Sequence, residues 1–321
     1  MGARSPQKLV AHTEDREKGL MRGPSVFAGI ILSLASLSFS CASYAKSEEF
    51  LSGRPMGKIQ SDSLREISGI AASRRHPGVL YVHNDSSDAP RIYAINEKAQ
   101  LLGMCNVKDA NARDWEDIAV GPGPDPNRSY VYIGDIGDNA GKRPEVIVYR
   151  VPEPKVDAGR PFAPMTIGPA NAIRLVYPDG PRDAETLLVD PLTRDLYIIS
   201  KRELLPKVYR AAYPQSTTQR TKLEQVAIMP FGSFPTGGDV SPDGRRVIVR
   251  GMFNAALWDR PAGAPLWHAF SAKPAAIPVA DEPQGEAICF DSKGRGYFTI
   301  SEGKHPCLYY FGPAEPNGPK Q

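Results

Sequence analysis

The chain has 321 residues, with 39 Lys and Arg against 36 Asp and Glu, a formal net charge of +3, 31 Pro, 29 Gly and 4 Cys. So even a charge balance leaves no footprint for nucleic acid or an anionic membrane surface. Many short β-rich runs punctuated by Pro and Gly suit one all-β domain better than two mixed ones.

The first 20 residues are polar and read as an upstream extension. Met21-Arg22 then leads into the apolar run Val26 to Leu37, and Ser43-Tyr44-Ala45 follows, the pattern of a secretory signal cut after Ala45. Residues 1–45 are therefore expected to be removed, leaving 46–321 as a single exported domain, periplasmic or extracellular. The apolar run is short for a spanning helix. Phe39 spoils the lipidation motif before Cys41, so any membrane attachment is confined to this N-terminal segment. Once the signal is removed, Cys105, Cys289 and Cys307 remain, an odd count that excludes a disulfide scaffold.

After the signal, a strand is expected over Met56 to Gln60. Four strands follow at Gly69 to Ala72, Val79 to His83, Arg91 to Ile95 and Leu101 to Val107. A second set runs through Ile118 to Val120, Tyr130 to Ile133, Val146 to Val151 and Ala172 to Tyr177, interrupted by a Pro-rich insertion from Pro152 to Pro169. A third takes Thr186 to Val189, Leu196 to Ser200, Val208 to Ala212 and Gln225 to Met229. The fourth takes Asp239 to Ser241, Arg246 to Arg250, Ala255 to Trp258 and Leu266 to Ala269.

The last set offers three strands, Ala287 to Phe290, Gly296 to Ile300 and Cys307 to Phe311. Its missing outer strand is supplied by Met56 to Gln60, which would close a ring and remove exposed edges. The pattern is that of an all-β, five-bladed β-propeller with four-stranded blades; six blades remain open if Pro152 to Pro181 hides a degenerate one.

Each set opens on a related motif: Arg65 to Ile70, Trp115 to Val120, Asp183 to Asp190 and Gln284 to Asp291, with a degenerate copy at Thr236 to Gly244. Matching Asp243 to Asp190 and Asp291 aligns Ser68, Glu116, Glu185, Gly238 and Glu286, at spacings near those of a propeller blade. In a propeller the starts of the innermost strands ring one mouth of the channel. The ends of the second strands lie beside them, bringing Asp85, Asp135, Asp138, Lys201, Arg202 and Arg250 to the same mouth. His83 is the histidine nearest this mouth.

Carboxylates crowded into a narrow ring repel one another unless protonated, solvated or neutralised by a cation. An all-oxygen set of Ser68, Glu116, Glu185 and Glu286, with Asp239 covering the gap at Gly238, suits a hard cation such as calcium. The competing reading makes these acids acceptors for backbone N–H groups between blades.

The blocks Leu64 to Ile70, Trp115 to Ala119, Gly134 to Asn139, Asp183 to Asp190 and Gln284 to Asp291 together resemble a family of secreted or membrane-attached bacterial β-propeller proteins. More remotely, the order Ser, Glu, Glu, variable, Glu is similar to the calcium-dependent apyrases, five-bladed propellers with calcium in the channel. That resemblance implies Ser68, Glu116, Glu185 and Glu286 as calcium ligands and places Asp85 near nucleotide phosphates. The apyrase family usually has Ser at the fourth position, where this alignment has Gly238. Calcium-dependent esterase, lactonase and phytase-like propellers offer a second likeness.

The expected chemistry is cation-assisted hydrolysis of phosphate or carboxylic esters, with Glu116 or Asp117 orienting water and Lys201 or Arg202 meeting developing negative charge. Asp85, Asp135, Asp138 and Arg250 are the candidate ligand-binding residues. The alternative is a non-catalytic propeller that binds a small molecule or an envelope component, with the cation closing the channel. Gly-x-Ser-x-Gly and His-Glu-x-x-His motifs are absent.

Overall fold

Five strands, Ile67–Ala72, Trp115–Pro122, Ala184–Val189, Pro235–Val240 and Gly285–Phe290, are buried along almost their whole length. A strand covered on both faces needs an apolar or small residue at nearly every position, which is why these segments read as runs rather than alternations. The computed structural model describes residues 49–314 apart from 86, 87 and 232. The expected signal, residues 1–45, and Cys41 lie outside the described residues.

Each buried strand starts an antiparallel meander, and together they form an all-β, five-bladed propeller. The first blade continues through Val79–Asn84, Arg91–Asn96 and Leu101–Val107, and the second through Ser129–Asp135, Val146–Pro152 and Asn171–Val176. The third adds Leu196–Ser200, Lys207–Ala211 and Glu224–Ile228. In the fifth, Tyr297–Ser301 and Cys307–Phe311 are followed by the N-terminal strand Arg54–Lys58, with Lys58 opposite Cys307 and Arg54 opposite Tyr310. This N-terminal strand closes the ring as expected.

The fourth blade departs from the sequence reading. Leu266–Ser271 is a 3-10 helix, and the outer strand is Ala275–Ile277, paired with Ala255–Leu257. Leu266, Ala269 and Phe270 recur at helical rather than strand spacing, and all three are buried. They pack with Trp258 between the third and fourth blades.

The insertion forms no sixth blade. Met165–Ile167 adds in parallel to the first blade beside Cys105–Val107, and Asn171–Val176 belongs to the second blade.

Apolar residues gather into separate clusters, one between each pair of neighbouring blades, including the pair that closes the ring. Burying one Leu, Ile or Phe in such a cluster stabilises the fold by roughly 1.5–3 kcal/mol. Inner strands pack against the next around the ring, the fifth against the first. Their first residues therefore converge at one mouth of the axis.

Candidate metal centre at one mouth of the channel

Every inner strand bulges at its second residue. Ile67 faces Asn84 and Gly69 faces His83, so Ser68 is left over; the same slip leaves Glu116, Glu185, Thr236 and Glu286 unpaired in the other blades. A bulge of this kind re-aims a side chain, here at the mouth. The fourth ring position is therefore Thr236, two residues before the Gly238 expected from the sequence.

The reason for this correction lies in the following turns. Asp190 N–H bonds to Asp195 O at 2.9 Å and Asp291 N–H to Gly296 O at 2.8 Å; in the fourth blade the matching bond runs from Ser241 N–H to Arg246 O at 2.9 Å. Ser241, not Asp243, is the counterpart of the two aspartates. With Thr236 in place, the ring reads Ser, Glu, Glu, Thr, Glu, a hydroxyl or carboxylate from each blade.

The acids nearest one another are not quite the expected set. Asp85, Asp114 and Glu116 each present a ligand atom within 4.8 Å of the other two, and Glu116, Asp183 and Glu185 do the same. Glu116 is common to both groups. Gly137 makes room for this, because a Cβ there would fall 2.1 Å from Glu116 Oε1 and 2.5 Å from Asp114 Oδ2. Among the described residues, no hydrogen bond or ion pair reaches the Glu116 carboxylate, although the residue is only 3% exposed.

Such crowding raises the affinity of these groups for protons. Burial pushes Glu116 well above the usual carboxylate range, with Glu185, Asp85 and Asp114 adding to the effect. Burial also lifts Glu185 to about 8, although the Lys201 ammonium that contacts it acts in the opposite direction. Asp114 is pushed up to about 6 by burial and by Asp85, and Glu302 to about 7 by burial and by Glu286. Glu286 is raised by burial and opposed by Lys201; its Oε1 accepts from Gln284 Nε2 at 3.3 Å. Glu286 belongs to neither close group.

Other expected site residues are engaged elsewhere. Ser68 Oγ donates to the Glu116 carbonyl at 2.6 Å, and Thr236 Oγ1 donates to the Gly285 carbonyl at 3.1 Å. Asp117 is fully buried and glues blades together. Its Oδ1 accepts from Ile118 N–H at 2.8 Å, and its Oδ2 accepts from Leu187 N–H at 2.9 Å and Gly238 N–H at 3.4 Å.

Asp239 does the same further down the axis, accepting from Phe290 N–H at 3.0 Å and lying 3.4 Å from the Arg74 guanidinium. Three residues of strand separate it from Thr236, roughly 10 Å along the axis. It does not join the ring.

Asp135 pairs with buried Arg143 at 2.8 Å, and Asp138 Oδ2 accepts the Arg143 backbone N–H at 2.7 Å. Arg250 is wholly buried on Glu282 at 2.9 Å. Arg202 donates to Asp183 Oδ2 at 2.6 Å, while Asp183 Oδ1 accepts Asp138 N–H at 2.8 Å. His83 is buried, with Nδ1 beside the Asn84 carbonyl at 2.8 Å and its ring edge-on to Trp115; burial pulls it down to about 4, so it is neutral.

Asp114, Asp183, Glu302 and Thr236 were missed as site residues. A signal for two of them lay in the text of the chain: Asp114-x-Glu116 and Asp183-x-Glu185 repeat one spacing in consecutive blades.

No protein-family model matches the chain, and no curated protein matches it. Among solved structures, it is similar to the hydrazine synthase of Kuenenia stuttgartiensis, at 13% identity and a TM-score of 0.38, covering 74% of this chain and 64% of that one. A luciferin-regenerating enzyme is similar at 10% identity and a TM-score of 0.43, covering 79% of this chain and 94% of that one. A chain of a nidogen/laminin complex is similar at 13% identity and a TM-score of 0.43, covering 76% and 74%.

Proposed function

We propose that this exported propeller holds a hard divalent cation, calcium by its donor chemistry, and uses it to hydrolyse a phosphoric or carboxylic ester at the acidic mouth. The observation that carries the reading is the buried Glu116 carboxylate, without a protein partner, shared between two groups of acids. Every donor there is oxygen, as calcium prefers, and Gly137 keeps the space beside Glu116 and Asp114 clear. Glu116, Asp183 and Glu185 would hold the cation, with Asp85 and Asp114 on its flank. An exported protein meets calcium at concentrations that suit weak extracellular sites, on the order of 10⁻⁴–10⁻³ M.

When bound, the cation polarises an ester oxygen and stabilises the charge that develops on it. The chain's own residues do the remainder. Asp114 and Glu302 stand at the same mouth, lifted by burial to about 6 and about 7 in the cation-free protein, and are the groups placed to take a proton from water or return one to a leaving oxygen. Lys201, ion-paired with Glu185 inside the ring, supplies a positive charge at the same mouth.

One observation favours a second reading, a propeller that binds its ligand without turning it over. Arg143, Arg202 and Arg250 are already committed to Asp135, Asp183 and Glu282 and are not available for an anionic substrate.

Calcium titration by calorimetry, followed by assay against phosphoanhydrides, phosphomonoesters, lactones and aryl esters with and without the cation, separates the two. Binding with turnover supports the hydrolase, and binding without turnover the second reading. An absence of calcium heat overturns both.

A further inference from the structure

The acidic mouth has two unlike halves. On the side of the first, second and fifth blades its rim is polar, carrying Asp85, Asp114 and Glu302. On the side of the third and fourth blades the rim carries large apolar side chains in water: Leu204 is 78% exposed, Phe253 74%, Phe234 56% and Leu205 50%.

Their positions follow from the hydrogen-bond register. Leu204 and Leu205 sit in the turn between Leu196–Ser200 and Lys207–Ala211, the turn that also sends Lys201 onto Glu185. Pro206 O in that turn accepts Met229 N–H at 2.7 Å, which places the connection to the fourth blade alongside it. Phe234 ends this connection, immediately before Pro235 pairs with Gly251. Phe253 occupies the adjoining turn, where Met252 O lies 2.6 Å from the place a Cβ on Gly285 would take, one residue before Glu286. The apolar rim thus borders the ring at Glu185 and at Glu286.

Exposing four such side chains forfeits burial free energy that water-facing polar residues would not forfeit. The rim adjoins the ring at Glu185, whose carboxylate lies within ligand distance of the buried, unpartnered Glu116, so one occupant of the mouth can reach both. We infer that the ligand of this mouth is a single-tailed amphiphile, an oxyanionic head attached to an alkyl or aryl group, with the head at the cation and the tail across Leu204, Leu205, Phe234 and Phe253. This rests on the cation reading above and adds the substrate class to it.

The test is calorimetric and needs no turnover. Calcium is titrated first; ethyl phosphate and octyl phosphate, the latter below its micellar concentration, are then titrated into the calcium-loaded protein. Octyl phosphate is expected to bind at least about tenfold more tightly, since partial burial of six methylenes suffices for that difference. Leu204→Ser and Phe253→Ser should abolish the advantage while leaving calcium and ethyl phosphate binding unchanged. Leu192→Ser, an exposed leucine in the turn at the other end of the third blade's inner strand, should change nothing.

Equal affinities for the two phosphates, with calcium bound, would overturn the amphiphile and leave the cation reading standing. Binding to vesicles of phosphatidylcholine and phosphatidylglycerol without binding of monomeric octyl phosphate would overturn it in favour of a membrane surface. An absence of calcium heat would reject the cation reading itself, and the amphiphile with it.

Discussion

The Lys201 ammonium contacts the Glu185 carboxylate inside the ring of acids, both side chains largely buried. Lys201 acts as a built-in counter-charge on the flank where a divalent cation would sit. Lys201→Met should therefore separate two effects. With calcium removed at pH 8, the variant should be destabilised by roughly 3 kcal/mol in urea unfolding, the usual consequence of orphaning one member of a buried pair. Calcium affinity should rise about tenfold, because a like charge has left the site.

On the cation reading, protons and calcium compete for the same oxygens. The folded-state values of Asp114, Glu302 and Glu185, about 6, about 7 and about 8, all lie above those of the unfolded chain. Between about pH 4 and pH 8 the native state therefore holds more protons than the unfolded one, and the contribution of these groups to stability falls as pH rises through that window. In EDTA they should lower the melting temperature from pH 5 to pH 8; calcium should reverse the decline and release protons, read as a buffer-dependent heat.

Glu116 and Asp117 are neighbours with opposite duties. Glu116→Gln removes one of several crowded charges, so the cation-free protein should become more stable at pH 8 while calcium-dependent stabilisation disappears. Asp117→Asn places an amide against the backbone N–H groups of the third and fourth blades and should destabilise the fold by about 2–4 kcal/mol with little change in calcium affinity. Urea unfolding with and without calcium gives both results. Loss of calcium binding in Asp117→Asn alone would reverse the assignment.

Blade boundaries are legible because an inner strand packed on both faces is mostly apolar or small beyond its opening acid or hydroxyl, and five such motifs recur at blade spacing. Closure by the strand Arg54–Lys58 follows from one missing strand in the fifth blade. The site was harder to read. Its first residues project through bulges, and a bulge inserts a residue without leaving a mark in composition. Pro242-Asp243-Gly244 resembles the aspartate turns of the other blades, whereas the backbone uses Ser241 there, which shifts the ring position from Gly238 to Thr236. Leu266 to Ala269 looked like a strand because four residues are too few to distinguish the two periods. Asp114 and Asp183, which crowd the ring without belonging to it, are harder to read because they precede the strands rather than open them.

His83 supplies a pH effect of the other sign. It is fully buried beside Trp115, and burial holds it near 4, against an unfolded value of about 6.5. As pH falls below about 6.5 the unfolded chain takes up a proton that the folded chain refuses until about 4, so stability is lost across that interval, by about 3 kcal/mol for this one group. His83→Gln replaces the ring with a group that does not titrate. Urea unfolding of both proteins between pH 7 and pH 4 isolates the histidine, since the carboxylates cancel in the difference. The variant should be the less stable at pH 7, where it loses packing on Trp115, and the gap should close by roughly 3 kcal/mol at pH 4. A gap that stays constant over the interval would mean that the folded protein protonates His83 as readily as the unfolded chain does, against the effect of its burial.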